Sequence, residues 1–293
     1  MKTSITFPKP IKFLSVLIFW IGVWYLVAAV IGKEIFLPYP HTVALRFFEL
    51  CGKSEFWITA AVSLMRILEG FVLGVVIGFG TALLTHYFSL AKALISPALR
   101  TVRAIPVVSF ILLAFLWLDN DAIPIFIAVL MVVPIIWENL SAGLDSLDRN
   151  LLEMAKVFSL SRKTVLKKII LPSLSPYIYS GMLTSLGLAW KSGIAAEVIS
   201  YPTIAIGKAM NNAKVTLDTA DVLVWTVTVV ALSLIFEGII KLIFKKSTRP
   251  LPTPKLRLCS GSPTNCTHRP KAATSWKSTP THSWVTRLRL WNR

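Results

Sequence analysis

Six long apolar stretches constrain this chain more than any other feature. They lie at about residues 13–32, 58–84, 104–118, 122–138, 177–199 and 219–243. A helix that crosses a membrane needs about 20 mainly apolar residues. Only 15% of the 293 residues are charged, whereas a soluble domain has about 25%, and a disordered chain is far less apolar. The sequence therefore predicts an all-α membrane protein with about six transmembrane helices.

The first apolar stretch has two interpretations. It follows Lys2, Lys9 and Lys12, as a cleavable signal peptide would. However, its 20 uncharged residues exceed the apolar core of a signal peptide, which is about 7–15 residues long, so we expect a retained helix. The third and fourth stretches are separated by residues 119–121 alone, which predicts a tight helical hairpin.

The distribution of Lys and Arg predicts the orientation of these helices. Segments 1–12, 85–103 and 141–176 hold twelve basic residues, whereas segments 33–57, 119–121 and 200–218 hold five. Connections rich in Lys and Arg stay in the cytoplasm. We therefore expect both termini and the 141–176 loop to be cytoplasmic in a multi-pass membrane protein.

The formal net charge of +17 comes largely from the C-terminal end. Residues 244–293 contain eleven Lys and Arg residues and no Asp or Glu, so the charge does not predict a nucleic-acid partner. Residues 247–293 are interpreted as a disordered basic arm on anionic membrane lipid, as an accessory segment, or as out-of-register or vector-derived sequence. The abrupt change in composition after Arg249 favours the last of these.

Three glycines recur every four residues in the second apolar stretch. Gly70, Gly74 and Gly78 line one helix face, and small residues at this spacing let another helix approach closely. We expect this face to be a packing surface. A role in a moving interface is the alternative.

Charged residues inside apolar stretches are costly and require a partner. Arg66 and Glu69 are three residues apart, and Glu237 and Lys241 are four apart, so each pair shares a helix face and is expected to be structural.

Lys191 and Glu197 differ from these pairs, because six residues place them on different sides of a helix. Each must reach water, a pore or another helix. They are candidate residues of a transport pathway, together with the neighbouring Trp190, for which packing is the alternative.

The 141–176 loop contains an amphipathic pattern broken by a turn. Apolar residues at helical spacing precede Ser159, and Ser161 is a candidate N-cap for a second, basic helix that ends near Pro172. The sequence predicts a helix–turn–helix at the membrane surface. An ordinary amphipathic helix held by anionic lipid is the alternative.

This loop resembles the EAA loop of bacterial ABC importer permeases. The family pattern is E-A-A, three residues, G, nine residues and then I-x-L-P. The residues at those positions here are Glu153, Met154, Ala155, Ser159, Ile169, Leu171 and Pro172. Met154 and Ser159 depart from the pattern. Because serine tolerates a positive φ poorly, we expect the turn at Ser159 to be shaped differently from a glycine turn.

The resemblance covers about residues 13–246 and is strongest to the nitrate, sulfonate and taurine subfamily, which also serves vitamin precursors. It implies a type I ABC importer (MetI-like) permease fold and a permease subunit without cofactor. It further implies ATPase subunits that dock on the loop, an extracytoplasmic solute-binding protein and a second permease copy, expected to make a homodimer.

The sequence predicts no enzyme activity for this chain. Gly52-Lys53-Ser54 ends like a P-loop, but Phe47 stands where the first glycine is needed, so ATP hydrolysis is expected on a separate chain. Cys259, Cys266 and His268 lack a fourth ligand at a suitable spacing, so no metal site is expected. A secondary transporter and a membrane anchor or assembly protein without transport are the alternatives.

Overall fold

The computed structural model describes residues 9–245. Side chains are described for residues 15–245 except Arg149, Ile243 and Lys245. Residues 1–8 of the predicted N-terminal segment and the whole basic tail, 247–293, lie outside the described residues, as do Cys259, Cys266 and His268.

Residues 9–245 are helical apart from short connections and contain no strand. The helices are α1 (Lys9–Ile31), α2 (Pro40–Cys51), α3 (Ser54–Tyr87), α4 (Ser89–Ala104), α5 (Val107–Ala114), α6 (Ile123–Asp145), α7 (Arg149–Val157), α8 (Arg162–Val165), α9 (Leu171–Ser200), α10 (Ile206–Val215) and α11 (Thr219–Lys245). A π-helical turn, Leu166–Ile170, joins α8 to α9.

The centre of the bundle is formed by α6 packed between α3 and α9. The glycine face of α3 makes this packing close. A Cβ added to Gly70, Gly74 or Gly78 would lie 2.7–2.8 Å from the Cβ of Ala128, Val132 or Ile136 of α6, respectively. All three glycines are buried, so the absent side chains let the two helix backbones approach each other.

The third apolar stretch is not one straight helix, which corrects the prediction for residues 104–118. The helix α5 has eight residues, about 12 Å at 1.5 Å per residue, and it is bent by 102° from α4. Pro106 supplies the break between them, and Ile105 before it is extended, with ψ 135°.

Three helices of the described region are long and apolar enough to cross a membrane. They are Ser54–Tyr87, Ile123–Asp145 and Thr219–Leu242, and the bent pair α4–α5 makes a fourth if it counts as one span. The helix α9 is long but carries polar residues along its length, and the described side chains of α1 cover only Ser15–Ile31. The membrane-embedded, all-helical character is confirmed, whereas the count of six spans stays a prediction.

The helices α2, α10 and α11 assemble at one end of the bundle. Arg46 of α2 donates to Asp221 of α11, with Nε 2.6 Å from Oδ1, and also to Glu49, with Nη1 2.8 Å from Oε2. The hydrogen bonds to Asp221 and Glu49 hold the pKa of Arg46 above its usual value. Residues 149–172 lie at the other end, because α6 leads towards them and α9 leads away.

Candidate functional site

The loop between α6 and α9 forms a helix–turn–helix. The side chain of Asp148 caps α7 by accepting a hydrogen bond from the N–H of Asn150, 2.9 Å away. The side chain of Ser161 caps α8 by accepting from the N–H of Thr164, at 3.3 Å. Both caps satisfy backbone donors that a helix start leaves free, and the predicted N-cap at Ser161 is confirmed.

The turn between these helices is built on Ser159. Ser159 has φ +50°, the left-handed conformation that glycine usually supplies. The N–H of Leu160 donates to the carbonyl of Ala155 at 3.0 Å, and the N–H of Ser159 donates to the carbonyl of Lys156 at 2.9 Å. These two bonds make a Schellman motif. The expectation of a differently shaped turn is therefore wrong, since the two bonds hold serine in the glycine conformation.

A cluster of exposed apolar side chains surrounds this turn. Val157 is 81% exposed and Phe158 70%, and Met154 and Leu160 are also exposed, whereas Ala155 is buried. Glu153 is exposed beside them. We call the four exposed apolar residues Met154, Val157, Phe158 and Leu160 the turn patch.

The rest of the loop motif lies where the chain enters α9. Ile169 is in the π-helical turn, and its carbonyl accepts from the Ser173 hydroxyl at 2.8 Å. Leu171 and Pro172 begin α9, both exposed, with Pro172 in the first turn where its missing N–H costs little. The structure therefore keeps the seven motif residues within one connected segment, from α7 to the start of α9.

A second polar site joins α3, α9 and α10 at the opposite end of the bundle. Glu197 is fully buried and accepts hydrogen bonds from Arg66 Nη1 at 2.9 Å, from the Ser63 hydroxyl at 2.9 Å and from the N–H of Gly207 at 3.2 Å. The Ser63 hydroxyl also accepts from the N–H of Ile206 at 2.8 Å. The start of α10 is thus capped by side chains from other helices.

Arg66 extends this network to the α5–α6 connection. Its Nη2 lies 2.9 Å from Oδ1 of Asp121, and Asp121 accepts from the hydroxyl of Thr203 at 2.8 Å and from its N–H at 3.1 Å. The predicted pairing of Arg66 with Glu69 is wrong, because the partners of Arg66 come from distant parts of the chain that only the tertiary fold brings near. The second predicted pair is confirmed, with Lys241 Nζ 2.5 Å from Glu237 Oε1.

The charge state of Asp121 depends on this network. Burial raises the pKa of the Asp121 carboxyl, but hydrogen bonds from Thr203 and the positive charges of Arg66 and Lys208 outweigh that effect. The pKa of Asp121 is therefore held below its usual value, and its carboxylate stays ionised.

The three proposed pathway residues occupy different environments. Trp190 is buried, donates from Nε1 to the carbonyl of Val229 at 3.0 Å and stacks near Phe236 with ring centroids 6.3 Å apart. Glu197 is buried in the network above. Lys191 is exposed on another face of α9. A pathway role remains a prediction for all three, and Lys191 lines a cavity.

That cavity lies between α4, α6 and α9 and has a volume of about 510 Å³. Its polar wall includes Arg103, Glu138, Asn139, Thr184 and Lys191. Arg103 and Glu138 form an ion pair across α4 and α6. Sequence reasoning missed this pair, because the two residues are 35 positions apart and each stands near the end of an apolar stretch. The sequence feature that could have indicated it is Glu138, a charged residue at the end of the apolar stretch 122–138.

The chain is similar in sequence to known transport proteins. The family described as "Binding-protein-dependent transport system inner membrane component" matches residues 70–249. A probable ABC transporter permease protein of Brucella melitensis is 30% identical over 78% of this chain and 92% of its own length. The putative aliphatic sulfonates transport permease protein SsuC of Escherichia coli is 33% identical over 72% of this chain and 81% of its own length.

A solved structure shows the same fold. The crystal structure of an amino acid ABC transporter with histidines matches with a TM-score of 0.50 at 14% identity, covering 64% of this chain and 90% of that one. The resemblance predicted from the loop is thus confirmed. The chain belongs to the binding-protein-dependent transport system inner membrane components and is a membrane-spanning permease subunit of an ABC importer.

Proposed function

We propose that this permease binds a separate ATPase through the helix–turn–helix of residues 149–172. The observation that carries the proposal is the turn patch, which exposes Val157 and Phe158 beside a turn held by two backbone hydrogen bonds. Exposed apolar clusters of this kind mark protein or membrane contacts. The motif residues Glu153 to Pro172 lie in the same segment, in agreement with the resemblance to the EAA loop.

Membership of the ABC importer permeases supports the rest of the proposed assembly. Two copies of the chain form the pathway, an extracytoplasmic solute-binding protein delivers a small solute, and ATP hydrolysis takes place on the ATPase chains. The loop and both termini lie in the cytoplasm, as the twelve-to-five distribution of basic residues favours. Lipid surrounds the apolar outer faces. The sulfonate permease of Escherichia coli supports a small organic anion as the solute.

The proposed cycle uses the rigidity of the loop. The π-helical turn Leu166–Ile170 connects α8 directly to α9 without a flexible linker. When ATP draws the two ATPase chains together, the docked loops move together as well. The movement passes into α9 and opens the pathway towards the opposite side.

The docking is tested with two matched substitutions. Val157 is 81% exposed in the turn patch, and Val215 is 77% exposed at the end of α10, at the opposite end of the bundle. We expect Val157→Asp to lose the ATPase during purification of the complex in detergent, because a charge is placed in an apolar contact. Val215→Asp is expected to retain it.

Two results would contradict the proposal. The turn patch would be excluded as the docking site if the ATPase were retained both by Val157→Asp and by the double variant that also carries Phe158→Asp. Solute uptake by membrane vesicles that hold an ion gradient but no ATP would instead support the secondary-transporter alternative.

A further inference from the structure

The cavity between α4, α6 and α9 has an excess of positive charge. Arg103 and Glu138 neutralise each other as an ion pair. Lys191 lines the same cavity, and none of the described residues forms a hydrogen bond or ion pair with it. The described wall therefore carries one uncompensated cation, which lies beyond the middle of α9 (Leu171–Ser200). A charge in this position is costly unless it meets water or a ligand of opposite charge.

The face of α9 that lines the cavity is open and mixes polar with apolar residues. Thr184, Leu188 and Lys191 follow each other at helical spacing, and all three are exposed. A Cβ added to Gly187 would meet no atom within 4 Å, so the cavity has free space beside Lys191. An uninterrupted apolar face would be expected here if this surface faced only lipid.

The opposite wall of the cavity is apolar. Met131, Pro134 and Ile135 of α6 are buried and line it. The cavity volume of about 510 Å³ lies in the range of about 300–1,000 Å³ typical of small-molecule sites. The cavity thus combines a cationic end with an apolar wall, which complements a small anion that carries an apolar substituent.

We propose that this cavity is a transit site for a small organic oxyanion. Lys191 binds its charged group, Arg103 adds a second cation when its pairing with Glu138 loosens, and the Met131–Ile135 wall contacts the alkyl part. This proposal rests on the proposed function for its biological role, since a transit site requires a transport pathway. The anion selectivity of the cavity at Lys191 does not depend on a transport role and can be tested by itself.

The local potential can be measured without transport. The full chain is prepared in membrane vesicles with Cys51, Cys259 and Cys266 replaced by Ser and with Leu188→Cys in the cavity wall. Two thiol reagents of similar size are compared, the 2-sulfonatoethyl and the 2-(trimethylammonio)ethyl methanethiosulfonates. We expect Lys191→Met to lower the ratio of anionic to cationic modification rates about tenfold, because residues three apart on a helix are neighbours.

A cysteine at Val215, outside the cavity, is the matched control and should show no change with Lys191→Met. Lys191→Arg should preserve the ratio, which separates a charge effect from misfolding. An unchanged ratio at Leu188→Cys with Lys191→Met, or no reaction of this cysteine with either reagent, would overturn the proposal.

Protection from modification identifies the ligand class. We expect 1-butanesulfonate to slow modification of Leu188→Cys at least threefold and its uncharged counterpart butyl methyl sulfone to have no effect. Equal protection by both compounds would refute an anion site. Because no ATPase is needed for these measurements, their failure is distinguishable from a failure of ATPase docking at Val157.

Discussion

Replacement of Gly70 by alanine tests the close packing of α3 against α6. The new Cβ would lie 2.7 Å from the Cβ of Ala128 and 2.7 Å from the carbonyl oxygen of Ile125. Ordinary contact begins at 3.4 Å, so the helices must separate by about 0.7 Å. Both opposing atoms are fixed to the α6 backbone, and no rotation of a flexible side chain can relieve the clash.

The expected cost is estimated against a control in the same helix. Inserting a methyl group into a well-packed core costs about 1–3 kcal/mol, and alanine is favoured over glycine inside a helix by about 1 kcal/mol. Gly80 is also inside α3, but a Cβ there would meet no atom within 4 Å. Gly80→Ala should therefore stabilise the protein by up to about 1 kcal/mol. The difference between the two variants isolates the steric cost, about 1–3 kcal/mol.

The assay is unfolding by SDS in mixed micelles, followed by tryptophan fluorescence. Gly70→Ala should shift the transition to a lower SDS fraction and Gly80→Ala to an equal or higher one. In Ala128→Gly, the substitution Gly70→Ala should cost less, because one of its two close contacts is gone. Equal stability of Gly70→Ala and Gly80→Ala would refute the packing argument.

Three further predictions concern the turn and the buried network. Ser159→Gly should stabilise the loop by about 0.5–1 kcal/mol. The left-handed conformation costs a non-glycine residue about 1–2 kcal/mol, and the larger conformational entropy of glycine in the unfolded state offsets part of the gain. Hydrogen exchange of the Leu160 amide should become slower, and faster exchange would contradict this prediction. Glu197→Gln should destabilise the protein by about 1–3 kcal/mol, because it removes the buried one of the two carboxylates that pair with Arg66, and Asp121 remains as the other. The same SDS assay should show that the double variant with Arg66→Gln loses less than the sum of the single losses, and additive losses would exclude direct coupling. The pKa of Asp121 is depressed below its ordinary value of 3.8, so its contribution to stability is present above that value and is lost as the pH falls below it. Acid unfolding should show that the stability difference between wild type and Asp121→Asn shrinks as the pH falls below about 3.8, and a constant difference would contradict this.

Local patterns were enough to predict much of the loop. The spacing from Glu153 to Pro172 and the capping serine Ser161 are properties of contiguous sequence, and helical periodicity depends on neighbours three and four residues away. The pair Glu237–Lys241 was predicted for the same reason, and its ion pair is present in the structure.

The predicted pairing of Arg66 fails because distant partners compete with a near one. Arg66 has Glu69 three positions away, yet it pairs with Glu197 and Asp121, because α9 and the α5–α6 connection meet at this end of α3. The turn at Ser159 departs from prediction for another reason, because its two hydrogen bonds go to the nearby carbonyls of Lys156 and Ala155. These bonds offset the intrinsic cost of the left-handed conformation to serine, and they form only in the folded turn.

The sequence by itself determined that the chain is an all-helical membrane protein with a loop that resembles the EAA loop, because apolar length, helical spacing and motif order are local properties. The tertiary structure alone decided the bend of 102° between α4 and α5, the burial of Glu197 and Trp190, and the convergence of Arg103, Glu138 and Lys191 on one cavity. These features depend on which helix faces meet, and packing between residues far apart in the chain determines those contacts.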